Sequence, residues 1–140
     1  MHGYQVEVDP SDRAWSGGIY DEARRGWLYN LNFHPEGQKA FRKGEWNKYR
    51  IEAIGNTFRT FINGIPTAYL VDDMTPKGFI ALQVHAIGKD QKEGTQIRWK
   101  NIRIQTENLK LSPPDNCPVV NMVLNNLSPA RASAGFSVAF

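Results

Sequence analysis

Two stretches of the chain alternate apolar and polar residues with a period of two. In GYQVEVDP, residues 3–10, Tyr4, Val6 and Val8 fall on one side and Gln5, Glu7 and Asp9 on the other. In GFIALQVHAIG, residues 78–88, Ile80, Leu82, Val84 and Ala86 share one side, while Gln83 and His85 lie on the other. Such a period marks a strand with one face on a core, so Val6, Val8, Ile51, Leu82 and Val84 are expected inside. The polar sides carry amides, carboxylates and an imidazole. These are short, directional hydrogen-bonding groups that suit sugar binding or catalysis better than the Lys, Thr, Glu and Ser of an ordinary surface strand.

The pattern continues through residue 106. It predicts strands at 5–9, 18–20, 27–32, 46–54, 57–63, 67–71, 79–87 and 96–105. Asn63-Gly64 is a strong hairpin signal, because both residues tolerate the positive φ of a type I′ turn. In the last strand the apolar parity changes between Ile97/Trp99 and Ile102/Ile104, which calls for a β-bulge near Lys100-Asn101. Short strands at regular turn spacing predict an all-β, antiparallel two-sheet sandwich. After Glu107 the composition shifts. The run Ser112-Pro113-Pro114-Asp115-Asn116-Cys117-Pro118 reads as extended linker. Beyond it Ser128 and Pro129 have the order of an N-cap and a first helical residue. The expected division is a main domain at 1–106, a linker at 107–127 and the start of another unit at 128–140.

Composition narrows the partners. No apolar run is long enough for a transmembrane helix. The net charge is +3, but the basic residues are scattered among acids rather than gathered in a stripe with aromatics, so nucleic acid is not an expected ligand. The single cysteine, Cys117, allows no internal disulfide. The opening MHGYQVEV lacks a charged-then-apolar leader and enters a strand at once, as a chain beginning in mid-domain would.

Among chemically capable residues, Glu7 is the leading general base and His85 the leading acid/base group, since a histidine titrates near neutrality. The bland readings are a solvated strand carboxylate and a structural histidine. Gln5 and Gln83 suit hydroxyl recognition, with Asp9 on the same side as Gln5. Trp15, Tyr20 and Trp27 lie near glycines, where exposed rings could stack on a sugar, with Trp15 the best exposed candidate. Trp46 and Trp99 read as core or sheet-edge residues. Arg50 could bind a hydroxyl or an enolate oxygen, although an exposed ion pair with Glu52 or Glu45, worth little, is the simpler reading. His34 reads as loop surface. Glu7, Asp9 and His85 could also hold a divalent cation against a ketone oxygen, but their spacing is not in itself a metal motif. A paired-carboxylate glycosidase mechanism fits poorly, because Pro10 interrupts the acidic run after Asp9.

Taken together, GYQVEVDP, SGGIYDE, KGEWNKYRIEAIGNTFRTFINGIPTAYLVDD, GFIALQVHAIG and IRWKNIRI resemble the C-terminal two-thirds of the 3-keto-disaccharide hydrolase domain family. That resemblance implies the concanavalin A-like jelly roll of legume lectins and laminarinase-type glucanases, incomplete here at its N-terminal side. It also implies a secreted or cell-envelope bacterial protein acting on oxidised glycosides. Two departures stand out. The family's N-terminal strands and Asn-Ser-Gly segment have no counterpart in this chain, and Gln5 and Glu7 stand in the opposite order to the family's usual Glu then Gln. The end, NNLSPARASAGFSVAF, resembles the lead-in to a second copy of the domain. The expected function is cleavage of a 3-keto-glycoside by C2 proton abstraction and elimination at C1. The alternative is a non-catalytic carbohydrate-binding module on the same fold.

Overall fold

The computed structural model of the protein describes residues 2–86, 94 and 96–123. Two sheets make up the fold. The first has the order β1 (Gly3–Val6), β2 (Ile19–Glu22), β3 (Gly26–Tyr29), all antiparallel. A single helical turn, α1 (Pro35–Gln38), leads toward the second sheet. There β4 (Tyr49–Ile54), β5 (Thr57–Ile62) and β6 (Ile65–Val71) form an antiparallel meander, and β7 (Val119–Asn121) joins the β6 edge in parallel. The described chain is thus a nearly all-β, two-sheet sandwich.

Local sequence accounts for the meander. Gly55-Asn56 closes β4 on β5, and Asn63-Gly64 closes β5 on β6 with φ of 53° and 86°, the left-handed geometry expected of that pair. A register shift between Thr60 and Phe61 moves Phe61 out of simple alternation, so Phe58, Phe61 and Ile62 are all buried. The common core draws on both sheets: Tyr4, Ile19, Leu28 and Tyr29 meet Phe58, Ala68 and Leu70. Val6 is buried as expected, while Val8 and Ile51 are half-buried.

Between the sheets runs a charged network. Tyr4 donates its hydroxyl proton to Asp72, Arg25 grips Asp72 at 2.7 and 3.1 Å, and the same guanidinium reaches Asp21 at 2.5 Å. Arg24 also pairs with Asp21, at 2.6 Å. Asp21 and Asp72 are fully buried, so these bonds are what makes their charge tolerable there.

Several expectations are corrected. Residues 79–86 and 96–105, expected as strands, make no ladder in the described structure, and Leu82 and Val84 are 39% and 64% exposed rather than in the core. The period-two pattern is there, but the segment joins neither sheet. Trp46 is exposed, not core. His34 is buried, its Nδ1 3.2 Å from the Thr67 carbonyl oxygen, because Pro35 starts α1 and folds the loop inward against β6.

The stretch read as a linker is not a free spacer. Arg59, itself buried, donates to the Ser112 carbonyl at 2.5 Å, to Pro113 at 3.2 Å and to the Asp115 carboxylate. Glu52 accepts from the Ser112 amide and hydroxyl. Cys117 then enters the core, and pairing begins as soon as Pro118 is passed, since proline has no N–H for the ladder. The proposed second unit at 128–140 lies outside the described residues.

Candidate active site

The site is built on the face of the first sheet turned away from the core. Tyr4 and Val6 point inward, so Gln5 and Glu7 point the other way. The ladder continues beyond β1: the Glu7 amide donates to Gly18 at 3.0 Å, and the Gly17 amide donates to Glu7 at 2.9 Å. Glu7 is thereby fixed opposite the two glycines. Gln5 pairs across with Tyr20, and Tyr20 with Trp27, which puts these side chains on the same face.

Gln5 is buried and donates from Nε2 to Glu7 Oε2 at 3.1 Å. Its Oε1 is buried and has no donor among the described residues, and the same is true of Gln83 Oε1. Two orphaned amide oxygens are suited to accept from a ligand's hydroxyls. Residues 81–84 and Glu22 line an open groove of about 460 Å³ on this side.

Burial pushes the Glu7 carboxyl above its ordinary value. The charge of His85 pulls it back, Asp9 adds to the rise, and Arg13 and the Gln5 hydrogen bond lower it again. His85 is exposed, yet close enough for Glu7 to feel it. A carboxyl with raised proton affinity within electrostatic reach of an imidazole is the kind of arrangement that general acid–base chemistry uses.

An aromatic wall flanks the pair. Trp15 meets Trp27 edge to face at 4.7 Å, and Tyr20 meets Trp27 at 5.2 Å. The Trp15 indole donates to Asn32 at 2.8 Å, which sets the ring's orientation. Trp15, expected to be the best exposed ring, is half-buried, as are Tyr20 and Trp27.

Asp9 is buried and fully employed in shaping the loop. It accepts from the Ser11 amide and hydroxyl, from Arg13 Nε at 2.8 Å and from the Trp15 amide. Burial works against its anion, but these bonds outweigh burial and hold the carboxyl below its ordinary value. Arg50 sits on β4 of the other sheet, 58% exposed, pairing with the buried Glu52 at 2.6 Å and lying over Phe61, so the ion pair with Glu52 is the geometry observed. Among the described residues no group of three His, Cys, Asp or Glu side chains is gathered as ligands, so Glu7, Asp9 and His85 do not form a ready metal cage.

The candidate site thus has Gln5, Glu7 and Tyr20 on one sheet face, Trp15 against Trp27 beside them, His85 within electrostatic reach of Glu7, and Gln83 in the groove with Glu22. Strand periodicity pointed to most of these. The sequence picks out Trp27 only for its neighbouring glycine, since its place opposite Tyr20 depends on register, and misses Arg13, which comes from a loop. It also misses Tyr49, whose hydroxyl donates to the Glu7 carbonyl at 3.4 Å.

A model of the 3-keto-alpha-glucoside-1,2-lyase-like domain matches residues 1–105 of the 140. The chain belongs to that family. Comparison with curated proteins finds no match. As a 3-keto-alpha-glucoside-1,2-lyase-like domain, the chain carries a carbohydrate-related fold, and the amides, carboxylate and rings on the outer face of its first sheet are of the types that such ligands engage. Within the described residues, no helix of this lyase-like domain is long and apolar enough to cross a membrane.

Proposed function

We propose that the protein cleaves 3-keto-glycosides by elimination. A ketone at C3 acidifies the C2 hydrogen. Glu7 removes that proton, and the C–H electron pair becomes the C2=C3 bond as the carbonyl pair moves to O3. The enolate then collapses. O3 regains its double bond to C3, a C1=C2 bond forms, and the C1–O bond breaks, with the leaving oxygen taking a proton from His85. Water adding across C1=C2 gives the free 3-keto sugar. This sequence needs one base, one acid and a stabiliser for the enolate, not the paired carboxylates of ordinary glycosidases. The observation that carries the reading is Glu7, buried enough for its proton affinity to rise, held by Gln5 and within electrostatic reach of His85.

Turnover of a 3-keto-glucoside by the protein with its natural flanking sequence tests this. Glu7→Gln and His85→Ala should each lower the rate by ~10²-fold or more. Unchanged turnover in both variants would remove them as the base and acid.

The aromatic wall of Trp15, Trp27 and Tyr20 also suits a non-catalytic carbohydrate-binding module, because rings and amides suffice for binding. Saturable binding of 3-keto-glucosides without C2 hydrogen exchange or cleavage would favour that module. A place at the cell envelope or beyond is part of the same proposal, and fractionation of the producing cells checks it.

A further inference from the structure

Arg13 joins the site from a loop. The segment 9–16 folds back on itself around the buried Asp9 carboxylate, and Arg13 Nε is one of the groups bound there, at 2.8 Å. The guanidinium lies over two indoles at once, 4.5 Å from the Trp15 ring and 5.1 Å from the Trp27 ring. A carboxylate on one edge and two π-faces fix its plane. Trp27 stands on the Gln5–Glu7–Tyr20 face, and Gly17, at the end of the same loop, is bonded to the Glu7 carbonyl. The loop therefore delivers a rigid cation to the wall beside the base. Its bond to Asp9 is made through Nε and its side chain is 45% exposed, which turns the Nη end toward the open side.

We propose that Arg13 is the catalytic residue that stabilises the enolate oxygen formed when Glu7 removes the C2 proton, with the Nη groups as its donors. This rests on the elimination reading above. The chemistry requires it to act late: O3 is a neutral ketone oxygen in the ground state and an anion after proton transfer. A preorganised guanidinium therefore favours the transition state over the bound substrate. Arg50 cannot take this part from its position, paired with Glu52 on the other sheet. The charge of Arg13 is also felt at Glu7, where it opposes the rise caused by burial, as does His85. The titratable groups around the base are Glu7, Asp9, Arg13, His85 and Tyr49.

Kinetics of Arg13→Gln and Arg13→Lys test the role, alongside melting curves and C2 hydrogen–deuterium exchange of a 3-keto-glucoside. In Arg13→Gln, kcat and the exchange rate should fall by ~10²-fold or more while KM changes by less than about threefold, the signature of an interaction made in the transition state. Arg13→Lys, which keeps the charge, should recover part of the loss. The acid limb of the kcat/KM profile should move to higher pH in Arg13→Gln, since Glu7 then loses a neighbouring cation. An active wild type with unchanged kcat in Arg13→Gln would overturn the assignment and leave the elimination reading standing. A rise in KM alone would make Arg13 a binding group and also overturn it. A loss of activity matched by a loss of folding in both variants would assign Arg13 to the loop. An inactive wild type would overturn the elimination reading itself, and this assignment with it.

Discussion

At the scale of single residues, the site depends on positions whose roles come from what they approach. Gly17 has φ of +85°, and a Cβ there would lie 2.3 Å from Thr67 Oγ1, in the layer where Thr60 also donates to the Gly17 carbonyl at 2.6 Å. Gly17→Ala should cost at least ~2 kcal/mol, from left-handed strain and overpacking together. Because Gly17 also binds the Glu7 carbonyl, the variant should lose activity even where it still folds. Urea denaturation and kinetics measure the two effects, and a fully stable, fully active variant would show that the approach is slack. Glu7 has a distinct pH signature. Its folded proton affinity is raised, so its contribution to stability is present below the unfolded pKa of ~4.3 and is lost as pH rises through the folded value. Glu7→Gln should therefore gain stability relative to wild type between about pH 4 and neutrality. A constant difference over that range would argue against a buried, raised carboxyl.

At the scale of elements, alternation was legible but partnership was not. Residues 49–54 and 57–62 fall into strands where the pattern puts them, and the first strand forms at 3–6 where 5–9 was expected, because each has a partner strand to pair with. Residues 79–86 carry the same pattern and no ladder, and their apolar side remains exposed. Residues 119–121 carry little pattern and yet form a strand, since Arg59, Glu52 and Cys117 hold the preceding segment against β5 and β6. Arg59→Met should release this strap. The Val119–Asn121 amides should lose hydrogen-exchange protection, and stability should fall by about 3 kcal/mol as Asp115 and the buried Glu52 lose a cation. Retained protection at 119–121 would mean that strand pairing, not Arg59, holds the segment.

At the scale of the whole molecule, the two sheets are joined by apolar packing and by the Tyr4–Asp72–Arg25–Asp21 network. Burial works against the Asp72 anion, but hydrogen bonds from Arg25 and Tyr4 outweigh it and hold the carboxyl below its ordinary value. A depressed carboxylate stabilises above the unfolded pKa of ~3.9, and that contribution disappears as pH falls through the folded value. Asp9 follows the same rule. The protein should thus lose stability below about pH 4, and Asp72→Asn should lessen that dependence while lowering stability at neutral pH. Denaturation curves from pH 2.5 to 7 provide the check, and an acid limb unchanged in Asp72→Asn would place the titration elsewhere.

The sequence by itself determined the all-β class, the Asn63-Gly64 hairpin, the inward side of β1 and the outward side that carries Gln5 and Glu7, together with the family resemblance. These follow from period-two alternation and local turn chemistry, which are properties of neighbouring residues. Only the tertiary structure decided that Trp27 stands beside Tyr20, that Arg13 comes to rest on two indoles, that Arg50 pairs with a buried Glu52, and that the segment around Cys117 packs into the core. Those outcomes depend on strand register, loop closure and the partners of buried charges. Each brings together groups distant in sequence, which no local pattern encodes.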